Sequence, residues 1–126
     1  MRRRESYVLD EKENKAVQIF TELGMPKNMA KTLLYLSQVP ECKCSDIEHG
    51  VDLRQPEVSI AMQELRKRGW VKKRDLKKKG KGRPVHIYEP IVGLSEILKA
   101  IEQEKLKEVE TVKNDISELK NIIKSR

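Results

Sequence analysis

The chain has 126 residues, with 27 Lys and Arg against 20 Asp and Glu, a formal net charge of +7, and only 37% hydrophobic residues. That length suits one domain with an appendage, and the low apolar share, with Trp70 and Phe20 each alone of its kind, allows a small core that gains from a partner subunit. No apolar run approaches the ~18 residues of a membrane span, and Arg2-Arg3-Arg4 leads into Glu5, Ser6 and Tyr7 rather than an apolar signal core, so a cytoplasmic protein without membrane contact is expected.

Residues 1–9 carry no periodic pattern and read as a flexible basic arm. Asp10 is placed to cap a helix with an acidic first turn, Glu11 and Glu13; Ala16, Ile19, Phe20 and Leu23 give it an apolar face, and Gly24 ends it. Pro26 suits the first turn of a second helix with Met29, Leu33, Leu34 and Leu36 inward, broken by Pro40 and the run 39–43. Ser45 is expected to cap a short third helix over 45–49, with Gly50 closing it and 51–53 forming a turn. Pro56 opens a fourth helix that keeps Val58, Ala61, Met62 and Leu65 on one face. Gly69, after Arg66-Lys67-Arg68, supplies its left-handed stop, where positive charge also complements the helix dipole. Two short helices joined by a turn, the second amphipathic, form a helix-turn-helix pattern.

Trp70-Val71 then starts a strand, 84–88 reads as a return strand with alternating faces, and Lys79-Gly80-Lys81-Gly82 between them is a glycine-containing turn. A hairpin directly after a helix-turn-helix is a wing. The expected fold is therefore mainly α with a small β-hairpin: a winged helix-turn-helix over 1–90, followed by a long C-terminal helix over 91–126.

Charge is concentrated in the same place. Residues 53–90 hold twelve basic and four acidic side chains, net +8, while residues 1–53 and 91–126 are close to neutral. Such a field suits a polyanion, because each Lys or Arg that meets a phosphate releases condensed counterions. With one face of the fourth helix committed to the core, its outer face presents Arg54, Gln55, Ser59, Ile60, Gln63 and Lys67. Arg can bridge guanine, Gln can pair with adenine, Ser can bond either, and Ile can pack on a thymine methyl. Glu57 can accept from cytosine or stabilise the positive end of the helix dipole. Lys72, Lys73, Lys77, Lys78, Lys79 and Lys81 are expected on phosphates, which position without specifying sequence. Arg83, in a Lys-Gly-Arg-Pro run similar to the core of AT-hook peptides, is a minor-groove candidate; otherwise it belongs to a solvated turn that Pro84 fixes.

The last segment differs in kind. Leu94, Leu98, Ile101, Lys105, Val109, Val112, Ile116, Leu119 and Ile123 form one stripe on a helix without Gly or Pro after Gly93. From Val109 the strict 3-4 alternation is that of a coiled-coil seam, interrupted upstream by Lys105. Leu98, Ile101, Val109, Val112, Ile116, Leu119 and Ile123 are thus the candidate homodimer contacts; the alternative folds this helix across the first two.

Gln55-Pro56-Glu57-Val58-Ser59, followed by Glu64-Leu65-Arg66-Lys67-Arg68-Gly69-Trp70-Val71, resembles the recognition helix and the L-x-x-x-G-hydrophobic-V exit of winged helix-turn-helix regulators of the ArsR, MarR and TrmB kinds, particularly small archaeal ones. Lys81-Gly82-Arg83-Pro84 with Tyr88 is similar to the wing of the archaeal members. The resemblance covers residues 26–90 and implies a homodimeric transcription regulator on double-stranded DNA, its fourth helix in the major groove and its wing alongside. Glu41-Cys42-Lys43-Cys44-Ser45-Asp46-Ile47 is similar to the E-L-C-V-C-D-L metal box of ArsR-like sensors, with His49 a further possible ligand, but both cysteines lie one position too early. Cys42 and Cys44 are therefore kept only as a secondary metal or redox switch beside the alternative of two cytosolic loop thiols, and no cofactor is expected.

No Gly-rich phosphate loop after a strand and no nucleophile with a placed base is present, so no enzymatic role is expected. Two other classes remain: a protein-interaction adaptor, which has no need of the +8 segment, and a non-specific nucleic-acid architectural protein, separable by affinity for random against selected duplex. Operator, effector and sign of regulation are not written in the sequence.

Overall fold

The computed structural model describes residues 9–76 and 85–125, which form two compact units dividing between Gly93 and Leu94. The elements of the first unit are α1 (Glu11–Glu22), α2 (Lys27–Gln38), α3 (Cys44–Val51), α4 (Gln55–Lys67), β1 (Val71–Leu76) and β2 (Val85–Pro90); the second is α5 (Leu94–Lys124). The architecture is the expected one: mainly α, with a small hairpin placed after a helix-turn-helix and a long final helix.

Asp10 caps α1 through a reciprocal box, its Oδ1 accepting the Glu13 N–H at 2.9 Å while Glu13 Oε1 accepts the Asp10 N–H at 3.1 Å. The α1 core face differs from the expected one. Val17 and Phe20 are buried, whereas Ile19 and Leu23 stay largely exposed, and Met25, beyond the Gly24 stop at φ 101°, takes up the inward role. Gly24 ends the helix as read, with Leu23 at its C-cap. In α2, Met29, Leu33, Leu34, Tyr35 and Leu36 are all buried, making it the central helix of the core. Such side chains contribute about 1.5–3 kcal/mol each on burial.

Helix α3 departs from expectation at both ends. It starts at Cys44 with Lys43 as its N-cap, and the Lys43 N–H is taken by Asp46 Oδ2 at 3.0 Å, so Ser45 is not the cap. Gly50 does not close it. The helix continues through Val51 to Asp52, which adopts the left-handed conformation at φ 55°, a region where a short polar side chain is tolerated. Helix α4 is as read: Val58, Ala61, Met62 and Leu65 are its buried residues, and Gly69 follows at φ 78°. Arg68 lies over the Trp70 ring, 5.1 Å from its centroid.

β1 and β2 pair antiparallel from Val71↔Pro90 to Leu76↔Val85, so Trp70 precedes the strand rather than starting it. The run 39–43, expected only to break a helix, joins this sheet: Tyr88 N–H donates to the Cys42 carbonyl at 2.8 Å and Cys42 N–H returns to Tyr88 at 3.2 Å. Tyr88 therefore lies between two backbones, and Ile87 and Tyr88 are both buried in place of the alternation expected there.

Helix α5 spans 31 residues, roughly 46 Å at ~1.5 Å per residue. Its buried residues are Ile97 and Ile101. Beyond them every described side chain except the half-buried Lys105 is exposed. Among the described residues no helix is long and apolar enough to cross a membrane.

Candidate nucleic-acid interface

Helix α4 owes its placement to packing on α2 and α3, and its start is fixed by charge and hydrogen bonding. Arg54, the N-cap, is extended at φ −87°, ψ 157°. Its N–H donates to Glu57 Oε1 at 3.0 Å, and Asn28 of α2 donates through Nδ2 to the other Glu57 oxygen at 3.4 Å. Glu57 is thereby committed to the positive end of the helix and to α2, the second of the two roles open to it from sequence.

The remaining face is free of the core. Arg54, Gln55, Ile60, Gln63 and Lys67 are exposed, and Ser59 is half-buried. Gln55 Nε2 donates to Ser59 Oγ at 3.3 Å, which lays the Gln55 amide along the first helical turn. Ile60 is 63% exposed, a large apolar side chain for which the core has no use. Ile60, Gln63 and Lys67 thus lie on the side of the helix away from the four buried residues, Gln55 and Ser59 lie on its flank, and Arg54, the N-cap, precedes it.

The wing residues divide. Lys72 and Lys73 are exposed at its base, and Lys72 Nζ stands 3.9 Å from Glu89. Arg74 is held between Glu89, at 2.5 Å, and Glu41, at 3.0 Å. Its guanidinium beside Glu89 pushes the Glu89 carboxyl below the usual carboxylate range. The basic sum over 53–90 therefore overstates the charge this surface offers a ligand: Arg74 answers two carboxylates, one from outside the segment. Asp75 and His86 meet across the hairpin at 2.6 Å. Lys77, Lys78, Lys79, Lys81 and Arg83 lie outside the described residues, as do Arg2, Arg3 and Arg4.

The two cysteines differ in burial, Cys42 lying in the core and Cys44 half-buried. Cys42 is fully buried in the backbone bridge to Tyr88, and burial, followed by the nearby Glu48 carboxylate, pushes the Cys44 thiol up to about 11. A protonated thiol is a poor metal ligand and nucleophile. Among the described residues no group of three or more His, Cys, Asp or Glu side chains is placed to hold a metal ion, and His86 is engaged by Asp75.

On α5, the candidate dimer contacts Val109, Val112, Ile116, Leu119 and Ile123 lie on one exposed stripe, which Leu106 and Ile122 widen. Leu98 is also exposed, and Ile101 is buried. Ile97, absent from the expected stripe, is buried with it one turn earlier.

Neither a protein-family model nor a curated protein matches the chain. Among solved structures it is similar to TrmBL2, an archaeal chromatin protein whose structure is described as showing a novel mode of DNA binding. The TM-score is 0.66 and the identity 14%, with 88% of this chain and 41% of that chain covered. The chain thus spans less than half the length of that protein, and the likeness is one of fold.

Proposed function

We propose that this chain is a sequence-specific, double-stranded DNA-binding transcription regulator that works as a homodimer and has no enzymatic role. The observation that carries the reading is the outer surface of α4, where Gln55, Ser59, Ile60 and Gln63, with the N-cap Arg54 at their N-terminal end, lie outside the buried face. Their types match base edges, and a helix of this kind, second in a helix-turn-helix, is the element that enters the major groove. The concentration of basic residues in 53–90 supplies affinity through Lys67, Lys72, Lys73 and the wing lysines 77, 78, 79 and 81, with Arg83 directed to the minor groove. The fold shared with a DNA-binding archaeal chromatin protein supports the same partner.

That neighbour's chromatin role also favours a second reading, in which this chain coats DNA without choosing sequence. Selection of bound duplexes from a random pool separates the two. The regulator reading expects enrichment of a defined site, bound about 10³-fold or more tighter than random duplex at the same salt; binding with no enrichment leaves the architectural one.

A further inference from the structure

The exposed stripe of α5 carries information on which way round it pairs. Taking Val109 as position a of a heptad, Val112 is d, Ile116 a, Leu119 d and Ile123 a. All three a residues are β-branched, and of the two d residues Leu119 matches the β-branched-a, Leu-d pattern that favours two strands while Val112 does not. From 106 to 124 the outer positions b, c and f hold only polar or charged residues, namely Glu110, Thr111, Asn114, Ser117, Glu118 and their neighbours. The apolar residues there fall at a, d and the flanking e and g positions, and the seven of them are 49 to 64% exposed in the single chain.

The flanking charges are sorted by sign. Position g holds Glu108 and Asp115; position e holds Lys113 and Lys120. In a parallel pair each g residue meets the e residue five positions on in its partner. Glu108 would then meet the partner's Lys113, and Asp115 the partner's Lys120, on both sides of the seam. An antiparallel pair sets g against g and e against e, which brings Asp115 to its own copy and Lys113 to its own copy. Like charges so placed are unfavourable. Within its own helix Glu108 also accepts from Lys105 Nζ at 3.1 Å, an exposed i,i+3 contact. Such a pair is weak, and the carboxylate has capacity for a second donor.

We infer that residues 106–123 form a parallel, in-register coiled coil with a second copy of this chain, its orientation set by the Glu108–Lys113 and Asp115–Lys120 pairs between protomers. Both N-terminal units then attach at the same end of the coil, where antiparallel pairing, centred near residue 114, would separate their points of attachment by roughly 60 Å at ~1.5 Å per residue. The inference deepens the homodimer clause of the proposed function and is tested without DNA.

The test mixes the unmodified full chain with one carrying Glu108→Lys, Asp115→Lys, Lys113→Glu and Lys120→Glu together, all four sites being exposed. Circular dichroism checks that the variant keeps its helix content, and native mass spectrometry counts the species. Parallel pairing predicts that each chain dimerises with itself and that mixed dimers fall well below their statistical share, because every flanking contact between the two becomes like-charged. Mixed dimers at or above the statistical share would overturn the parallel assignment, since antiparallel contacts between the two are attractive. Monomers alone at high micromolar concentration would overturn the pairing itself and leave DNA binding by the N-terminal unit to be judged separately.

Discussion

Gly50 of α3 lies against the ring of Tyr35 from α2: a Cβ at position 50 would stand 2.6 Å from Tyr35 Cδ2 and closer still to Cε2. Tyr35 is fully buried, so the ring cannot step aside into solvent. Glycine at this position is required by close approach, and it sets how near α3 can come to the helix that also supports α4. Gly50→Ala is expected to cost about 1–3 kcal/mol through overpacking, although alanine is intrinsically the better helix residue by roughly 1 kcal/mol. Urea unfolding of both chains measures the balance. A variant as stable as the unmodified protein, or more so, would refute the packing account.

Arg74 and Glu89 make the base of the wing sensitive to acid. The pair depresses the Glu89 pKa, so the stability it contributes is present above the ordinary glutamate value, about 4.3, and is lost as pH falls through the lower folded value. Arg74→Met should return the Glu89 titration to the ordinary range when followed by carboxyl-resolved NMR. An unshifted titration curve in the variant would show that Arg74 is not the cause.

Cys44 should behave as an inert thiol. With its pKa raised to about 11, alkylation by iodoacetamide at pH 8 is expected on the order of 100-fold slower than for a free cysteine. Glu48→Gln should accelerate it, although burial remains the larger cause. The linked stability is present below the unfolded thiol value, about 8.5, and fades as pH climbs towards 11. Rapid alkylation at pH 8 would reopen the metal or redox role of Cys42 and Cys44.

The wing lysines are assigned to affinity rather than choice of sequence. Replacing Lys77, Lys78, Lys79 and Lys81 by Ala should reduce the slope of log affinity against log salt by about 0.9 for each phosphate that a lysine no longer neutralises. The preferred sequence should not change. Fluorescence anisotropy across a salt series reads this directly, and an unaltered slope would remove these residues from the interface.

How much of the fold is legible in the sequence depends on whether local rules and tertiary demands agree. In α4 they agree: Pro56 opens the helix, Gly69 stops it, and the apolar spacing coincides with the buried face. In α1 Gly24 stops the helix as read, but Val17 rather than Ile19 joins Phe20 in the core and Leu23 stays 41% exposed. At α3 the hydroxyl of Ser45 suggests a cap, but the Asp46 carboxylate captures the Lys43 N–H upstream. Gly50, which reads as a stop, is a packing residue whose partner Tyr35 lies on another helix and is unmarked by any local signal. The bridge from Cys42 to Tyr88 and the clamp of Arg74 by Glu41 and Glu89 are likewise long-range. Summing charges along the chain cannot show that Arg74 is already answered. On α5 the 3-4 repeat from Val109 is plain, whereas Ile97, buried with Ile101, lies outside the stripe read from spacing.

The central claim is that the outer face of α4 chooses sequence. Its most direct measurement is the affinity ratio between a selected duplex and a random one, at fixed salt, for the full chain and for the combined Arg54→Ala, Gln55→Ala and Gln63→Ala variant. The account predicts that the unmodified chain prefers the selected duplex by about 10³-fold or more, and that the variant loses most of that preference, at about 1–3 kcal/mol for each base edge it can no longer read, while its melting temperature and oligomeric state are retained. A variant that folds, dimerises and keeps the full ratio would contradict it.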